Sequence, residues 1–280
     1  MRQGSGGLPL RRSCLGNHTL NSRIHLVSGV ESDTDDALLC DPGYYLPKHV
    51  YACRTDEGVI FLDAKHDRYF GLGGAGVAAL PRYIRNWVGG DASRCRGGET
   101  PASHLEVKRV ADNLIDRGLL CNSWDELLPM HRASAPPLSM ELPRAATEAH
   151  RSLRPIDLVY FTASCTRALW LLKRQPLEAI ASRVAAARQG HHEPLGLMEV
   201  FGRVQAFRNL RRLFFSEKDR CLLNALSLVL FLQHYGHFPL FVIGVKTRPF
   251  GAHSWVQHDQ ILLEGGDPSR ICHFAPILVA

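Results

Sequence analysis

The sequence predicts an α+β chain. A small unit of three short strands and two helices, winged-helix-like in its order, precedes a longer unit in which helices give way to strands. Three observations lead to this reading. Short segments rich in β-branched and aromatic residues, parted by turn residues, fill the region after Tyr44. A stretch with Pro136-Pro137 and Pro143 separates two regions of helical periodicity. A helix apolar on nearly every side, followed by three strands, occupies residues 216–280. A length of 280 residues suits one large or two modest domains.

Residues 1–43 show little periodicity. Gly4-Ser5-Gly6-Gly7 and the acidic cluster Glu31, Asp33, Asp35 and Asp36 mark them as a flexible arm. The first unit is expected over 44–122. Its strands are Val50–Arg54, Val59–Asp63 and Arg68–Leu72, turned by Thr55-Asp56-Glu57-Gly58 and Lys65-His66-Asp67. Val77, Leu80, Ile84 and Trp87 predict a helix over about Gly76–Val88, with a possible bend at Pro81. A second helix is capped by Ser103 with Glu106. It carries Val107, Val110, Leu114 and Ile115 on one face and stops at Gly118; Leu119-Leu120-Cys121 returns as a short strand.

Residues 123–154 read as a linker and 155–280 as the second unit. Helix is expected from Asp157 to Arg188 with a break at Pro176, and again over Leu197–Phe214. In the latter, Val200, Val204, Phe207 and Leu210 face inward, while Arg203, Arg208, Arg211 and Arg212 face outward. Then follow the buried helix Cys221–Leu232, a stop at Tyr235-Gly236, the strand Pro239–Val245, and two strands around His258-Asp259.

Composition excludes several classes. No stretch approaches the ~18 uninterrupted apolar residues of a membrane-spanning helix, and no signal peptide is recognisable at the N-terminus. The eight cysteines are scattered with no CxxC pair, which predicts reduced thiols and a cytoplasmic protein. A net charge of +6 permits acidic partners without demanding nucleic acid. The basic residues Lys108, Arg109 and Arg117 form no continuous recognition stripe, because Asp112 and Asp116 interrupt them. His253, His258, Cys272 and His273 lack the ligand spacing of a zinc site, so no metal is expected. Gly71-Leu72-Gly73-Gly74-Ala75-Gly76 lacks the lysine of a phosphate-binding loop.

Cys221 carries the most chemical information. It follows the charged turn Ser216–Arg220 and opens a buried helix, where the helix dipole and free N–H groups favour a thiolate and can receive an oxyanion. His253, at a strand start, is placed to act as base. A carboxylate is expected to hold the imidazole through Nδ1 and leave Nε2 facing Cys221. The candidates are Asp267, favoured because Gly265-Gly266 allow a bulge, and Glu264; Asp259 belongs to a turn.

Cys221, His253-Ser254-Trp255-Val256-Gln257, Gly236, Ile243-Gly244-Val245 and the terminal Phe274-Ala275-Pro276-Ile277-Leu278 resemble the transglutaminase-like leader peptidases of lasso-peptide biosynthesis, over about residues 155–280. That family places its aspartate about 12 residues after the histidine, where this chain has Gly265. The upstream unit resembles the leader-recognition domain fused to such peptidases, itself similar to the chaperone of pyrroloquinoline-quinone synthesis. The resemblance implies a leader-binding domain followed by a transglutaminase/papain-like cysteine protease domain. It implies a precursor peptide and an asparagine-synthetase-like macrolactam synthetase as partners, with ATP acting through the synthetase and no cofactor bound directly. The leader is expected to add to the edge of Arg68–Leu72 and to contact Tyr69 or Phe70, Val107 and Asp112. The alternatives are an acyltransferase or transglutaminase with the same Cys-His-Asp chemistry, or a non-enzymatic peptide-binding protein.

Overall fold

The computed structural model describes residues 43–73, 77, 79–87, 104–122, 135–139, 153–189, 196–214 and 220–280. The chain divides into two compact units. Among the described residues, the first holds those of 43–122 with Thr247–Gly251, and the second those of 135–246 with Ala252–Ala280.

In the first unit, β1 (Val50–Thr55), β2 (Gly58–Asp63) and β3 (Arg68–Leu72) form an antiparallel meander in that order. Its second turn is fixed by the Asp63 carboxylate, which accepts the main-chain N–H groups of Lys65 and His66 at 3.1 Å each. Helix α1 (His104–Asp116) lays Val107, Ala111 and Leu114 on Val50, Val59 and Phe61 of the sheet. These three helix positions recur at helical spacing, and all are buried. The proposed cap, Ser103, lies outside the described residues. The first sequence-predicted helix is shorter than expected: Val77 and Ala79 are helical, and the chain then tightens into the 3-10 turn Leu80–Arg82. Two forces oppose a full helix there. Pro81 suits only a first turn, and Tyr44 claims the following main chain, donating to Tyr83 O and accepting from Arg85 N–H at 2.9 Å each. Leu119–Cys121 return as expected in outline, through a bridge between Cys121 and Tyr45.

The second unit begins with α2 (Pro155–Arg174), α3 (Leu177–Gln189), α4 (Leu197–Phe214) and α5 (Cys221–Gln233). Pro176 parts α2 from α3, as its missing N–H dictates. A four-stranded sheet follows, of β4 (Leu240–Lys246), β5 (Gly251–His258), β6 (Ile261–Glu264) and β7 (Ala275–Val279), in the order β6-β5-β4-β7, with a short turn of helix, α6 (Pro268–Ile271), before β7. Nine residues of α5 are buried, so it is a core helix with no polar face.

Arg203 and Arg211 depart from the outward orientation expected of them, at 5% and 8% exposure. Each is drawn inward by a carboxylate from a distant element. Arg203 reaches Asp157 of α2 at 3.1 Å, and Arg211 pairs with Glu264 of β6. Burial of a guanidinium requires such a partner.

Trp255 of β5 anchors one face of the sheet with Leu240, Val242 and Ile271. Its indole lies across Gly244 so closely that a Cβ there would come within 2.6 Å of two ring carbons. Gly244→Ala is therefore expected to destabilise the chain by about 1–3 kcal/mol through overpacking, read as a lower denaturant midpoint. An unchanged midpoint would show that the ring has room to slide.

Candidate active site

The sheet and α5 converge at the first residue of the helix. Arg220 occupies the N-cap position without a side-chain cap bond, so its own side chain does not take the first-turn N–H groups. Cys221 sits in that turn, half-buried. His253 stands near the start of β5, also half-buried, its ring 5.5 Å from that of Phe274.

The two side chains act on each other: His253 is the main influence lowering the Cys221 thiol, and Cys221 the main one raising the His253 imidazole. Burial acts to raise the Cys221 pKa. The His253 imidazole and its charge, with the Ser254 hydroxyl and main chain beside the sulfur, outweigh it, so the thiol ends below its ordinary 9.0. The Ser254 hydroxyl is buried and has no hydrogen-bond partner among the described residues. His253 shifts the opposite way. The neighbouring sulfur raises it above 6.5, burial opposes, and the Gly265 carbonyl and thiolate charge reinforce the rise against Arg270. Other cysteines behave as inert thiols: burial pushes Cys53 up to about 12 and Cys165 up to about 11. The contrast singles out Cys221, because the thiolate is the nucleophilic form.

The third member differs from expectation. The Nε2–H of His253 donates to the main-chain carbonyl of Gly265 at 2.7 Å. This reverses the predicted ring orientation, because Nε2 is occupied and Nδ1 is the nitrogen left for sulfur. Asp267 does not take the orienting place. Its carboxylate is exposed and accepts the Ser269 N–H at 2.9 Å, capping α6, and this bond is the main cause holding its pKa below the usual carboxylate range. Glu264 is buried but engaged by Arg208 at 3.0 Å and by Arg211. Asp-Pro opening a short helix is a common capping arrangement, whereas a carbonyl acceptor has no residue-type signature to read in advance.

The residues expected to receive a leader fall in three places. Phe70 pairs with Phe61 and packs against the first unit's core, so it shares the face covered by α1. Tyr69, its neighbour on the strand, points to the other face. Asp112 is exposed on α1. Val107 is a correction: at 2% exposure it belongs to the core and offers no surface.

Among the described residues, no three or more His, Cys, Asp or Glu side chains gather as a metal site, and no helix is long and apolar enough to cross a membrane. Residues 162–279 match the family model described as the transglutaminase-like superfamily. They run from within α2 to the last residue of β7, with Cys221 and His253 inside. This part of the chain is therefore similar to a superfamily whose activity is typically that of cysteine peptidases and acyltransferases. No curated protein and no solved structure matches the chain.

Proposed function

We propose that this chain is a cysteine peptidase that removes the leader from a ribosomally made lasso-peptide precursor, acting with a macrolactam synthetase. The observation that supports it most directly is the Cys221 thiol at the head of α5, its pKa lowered by the neighbouring His253, whose Nε2 is held by the Gly265 carbonyl. Nδ1 of His253 takes the thiol proton, and the sulfur attacks the scissile carbonyl carbon. The first-turn N–H groups of α5 receive the oxyanion. As the C–N bond breaks, the imidazolium returns its proton to the leaving amine, and a thioester remains. Water, deprotonated by His253, then attacks the thioester and regenerates the thiol.

The leader component of the reading draws on the resemblance of the first unit. β3 is a terminal strand of its sheet, and such an edge offers unpaired main-chain groups to an extended peptide. Phe70 and Asp112 are the side chains on the α1 side; Tyr69 would serve only a peptide that also reaches the opposite face. ATP enters through the synthetase, and the chain itself holds no cofactor in this reading. The free cysteines fit a cytoplasmic enzyme.

The test is incubation of the full chain with precursor, synthetase and ATP in water enriched in oxygen-18, with and without an added primary amine. Hydrolysis puts one heavy oxygen on the new leader carboxylate, seen by mass spectrometry. Exclusive formation of amine adducts would instead make the protein an acyltransferase, since the same thioester serves both acceptors.

A further inference from the structure

We propose that the main-chain carbonyl of Gly265, rather than any carboxylate, orients His253, and that the clamp formed by Arg208, Glu264 and Arg211 positions that carbonyl. The proposal rests on Cys221 and His253 being nucleophile and base, and it assigns positioning residues to them.

Four observations lead to it. A carbonyl can only accept, so the 2.7 Å contact places the ring proton on Nε2 and leaves Nδ1 lone-paired toward sulfur. This is the tautomer a base needs, and it is the role a carboxylate ordinarily fills. Both nearby carboxylates are committed elsewhere, Asp267 to the N–H of Ser269 and Glu264 to two arginines. Position 265 has no room for a side chain of its own. Its φ of +142° disfavours other residues, and a Cβ would lie 2.5 Å from the Trp255 Cβ and 3.1 Å from Ile271 Cδ1. The main chain is what this position can offer.

The clamp sits immediately before that carbonyl. From α4, Arg208 donates through Nη2 to the Leu263 carbonyl at 2.6 Å and through Nε to Glu264 at 3.0 Å, while Arg211 donates to the other Glu264 oxygen. Two successive residues, 263 and 264, are thus tied to a rigid helix. The next carbonyl inherits their placement. The main groups acting on the imidazole are then the Cys221 sulfur, the Gly265 dipole and the Arg270 cation. A neutral acceptor fixes the ring's tautomer, while the neighbouring thiolate balances the imidazolium charge.

The test needs no substrate. The full chain is alkylated with iodoacetamide across a pH series, and modification of Cys221 is followed by peptide-resolved mass spectrometry. Wild type is expected to react with an inflection below that of an ordinary thiol, and His253→Ala to lose that shift. Asp267→Asn should superimpose on wild type at every pH. Glu264→Gln, if folded, should react about tenfold more slowly near pH ~6 yet reach the same alkaline rate, because the thiolate fraction changes and the sulfur's access does not. An Asp267→Asn profile displaced toward that of His253→Ala overturns the carbonyl as orienter. A folded Glu264→Gln with the wild-type profile overturns the clamp. Coincidence of wild type with His253→Ala would instead remove the Cys221–His253 pair, and the functional reading with it.

Discussion

Cys221→Ala is expected to lower precursor cleavage by roughly four orders of magnitude or more, as loss of a covalent nucleophile does, while leaving leader affinity unchanged. Cys221 is only half-buried, and an alanine is a good helix former at that place, so the variant should fold. Leader affinity should persist because the proposed leader-binding residues belong to the first unit and Cys221 to the second. The pH dependence of the wild type follows from the paired shifts. Cys221 moves down from 9.0 and His253 up from 6.5, so the two approach each other and titrate as a pair. Turnover should fall on the acid side as the thiolate takes a proton. It should fall again on the alkaline side as the imidazolium loses the proton that the leaving amine requires. Mass spectrometry of cleaved precursor and fluorescence anisotropy of a labelled leader, both on the full chain, read the two effects separately. Appreciable cleavage by the folded variant would remove Cys221 from the nucleophile's role.

The positions of Cys221 and His253 on their elements were legible because each stands at a junction that local chemistry marks. A run of charged residues precedes an apolar helix, and a loop opens a strand ending at the hairpin turn of His258-Asp259, where Asp259 takes the left-handed conformation with a φ of +49°. The third partner was not legible, because main-chain carbonyls occur at every residue and only the fold selects one. The misreading of Arg203 and Arg211 has a related cause. Helical periodicity ranks positions on one element, but these arginines answer to Asp157, 46 residues away, and to Glu264, 53 residues away. Val107 shows the converse error: its spacing with Leu114 already marked a core stripe, and that stripe is where the structure puts it. The helical spacing of Val77, Leu80, Ile84 and Trp87 is borne out at its start, but beyond Arg82 main-chain pairing with Tyr44 ends the helical path.

Asp157→Ala is expected to be the most destabilising single truncation of a polar residue in the second unit, at about 3 kcal/mol, because it leaves the buried Arg203 guanidinium with Glu199, at 3.6 Å, as its remaining carboxylate. Asp157 is fully buried near the start of α2. It accepts the Arg154 N–H at 2.8 Å, Arg203 Nη1 at 3.1 Å and the Tyr235 hydroxyl, while the Arg203 guanidinium lies 3.8 Å from the Tyr235 ring centroid. One carboxylate thus ties α2, α4 and the end of α5 together. Burial alone would raise its pKa; the bonds from Tyr235 and Arg154 and the charge of Arg203 outweigh this and hold it below the ordinary 3.8. The sign follows. A carboxyl with a depressed folded-state pKa contributes stability that is fully present above 3.8 and is lost as pH falls through the folded value. Urea unfolding of wild type should therefore weaken in strong acid, and Asp157→Ala should lack that part of the loss. Asp157→Leu with Arg203→Met should recover most of the stability, since exchanging a whole buried pair for apolar groups of similar volume is often neutral. If Asp157→Ala cost less than about 1 kcal/mol, or if the double replacement were worse than the single, apolar packing rather than this carboxylate would be what joins the three helices.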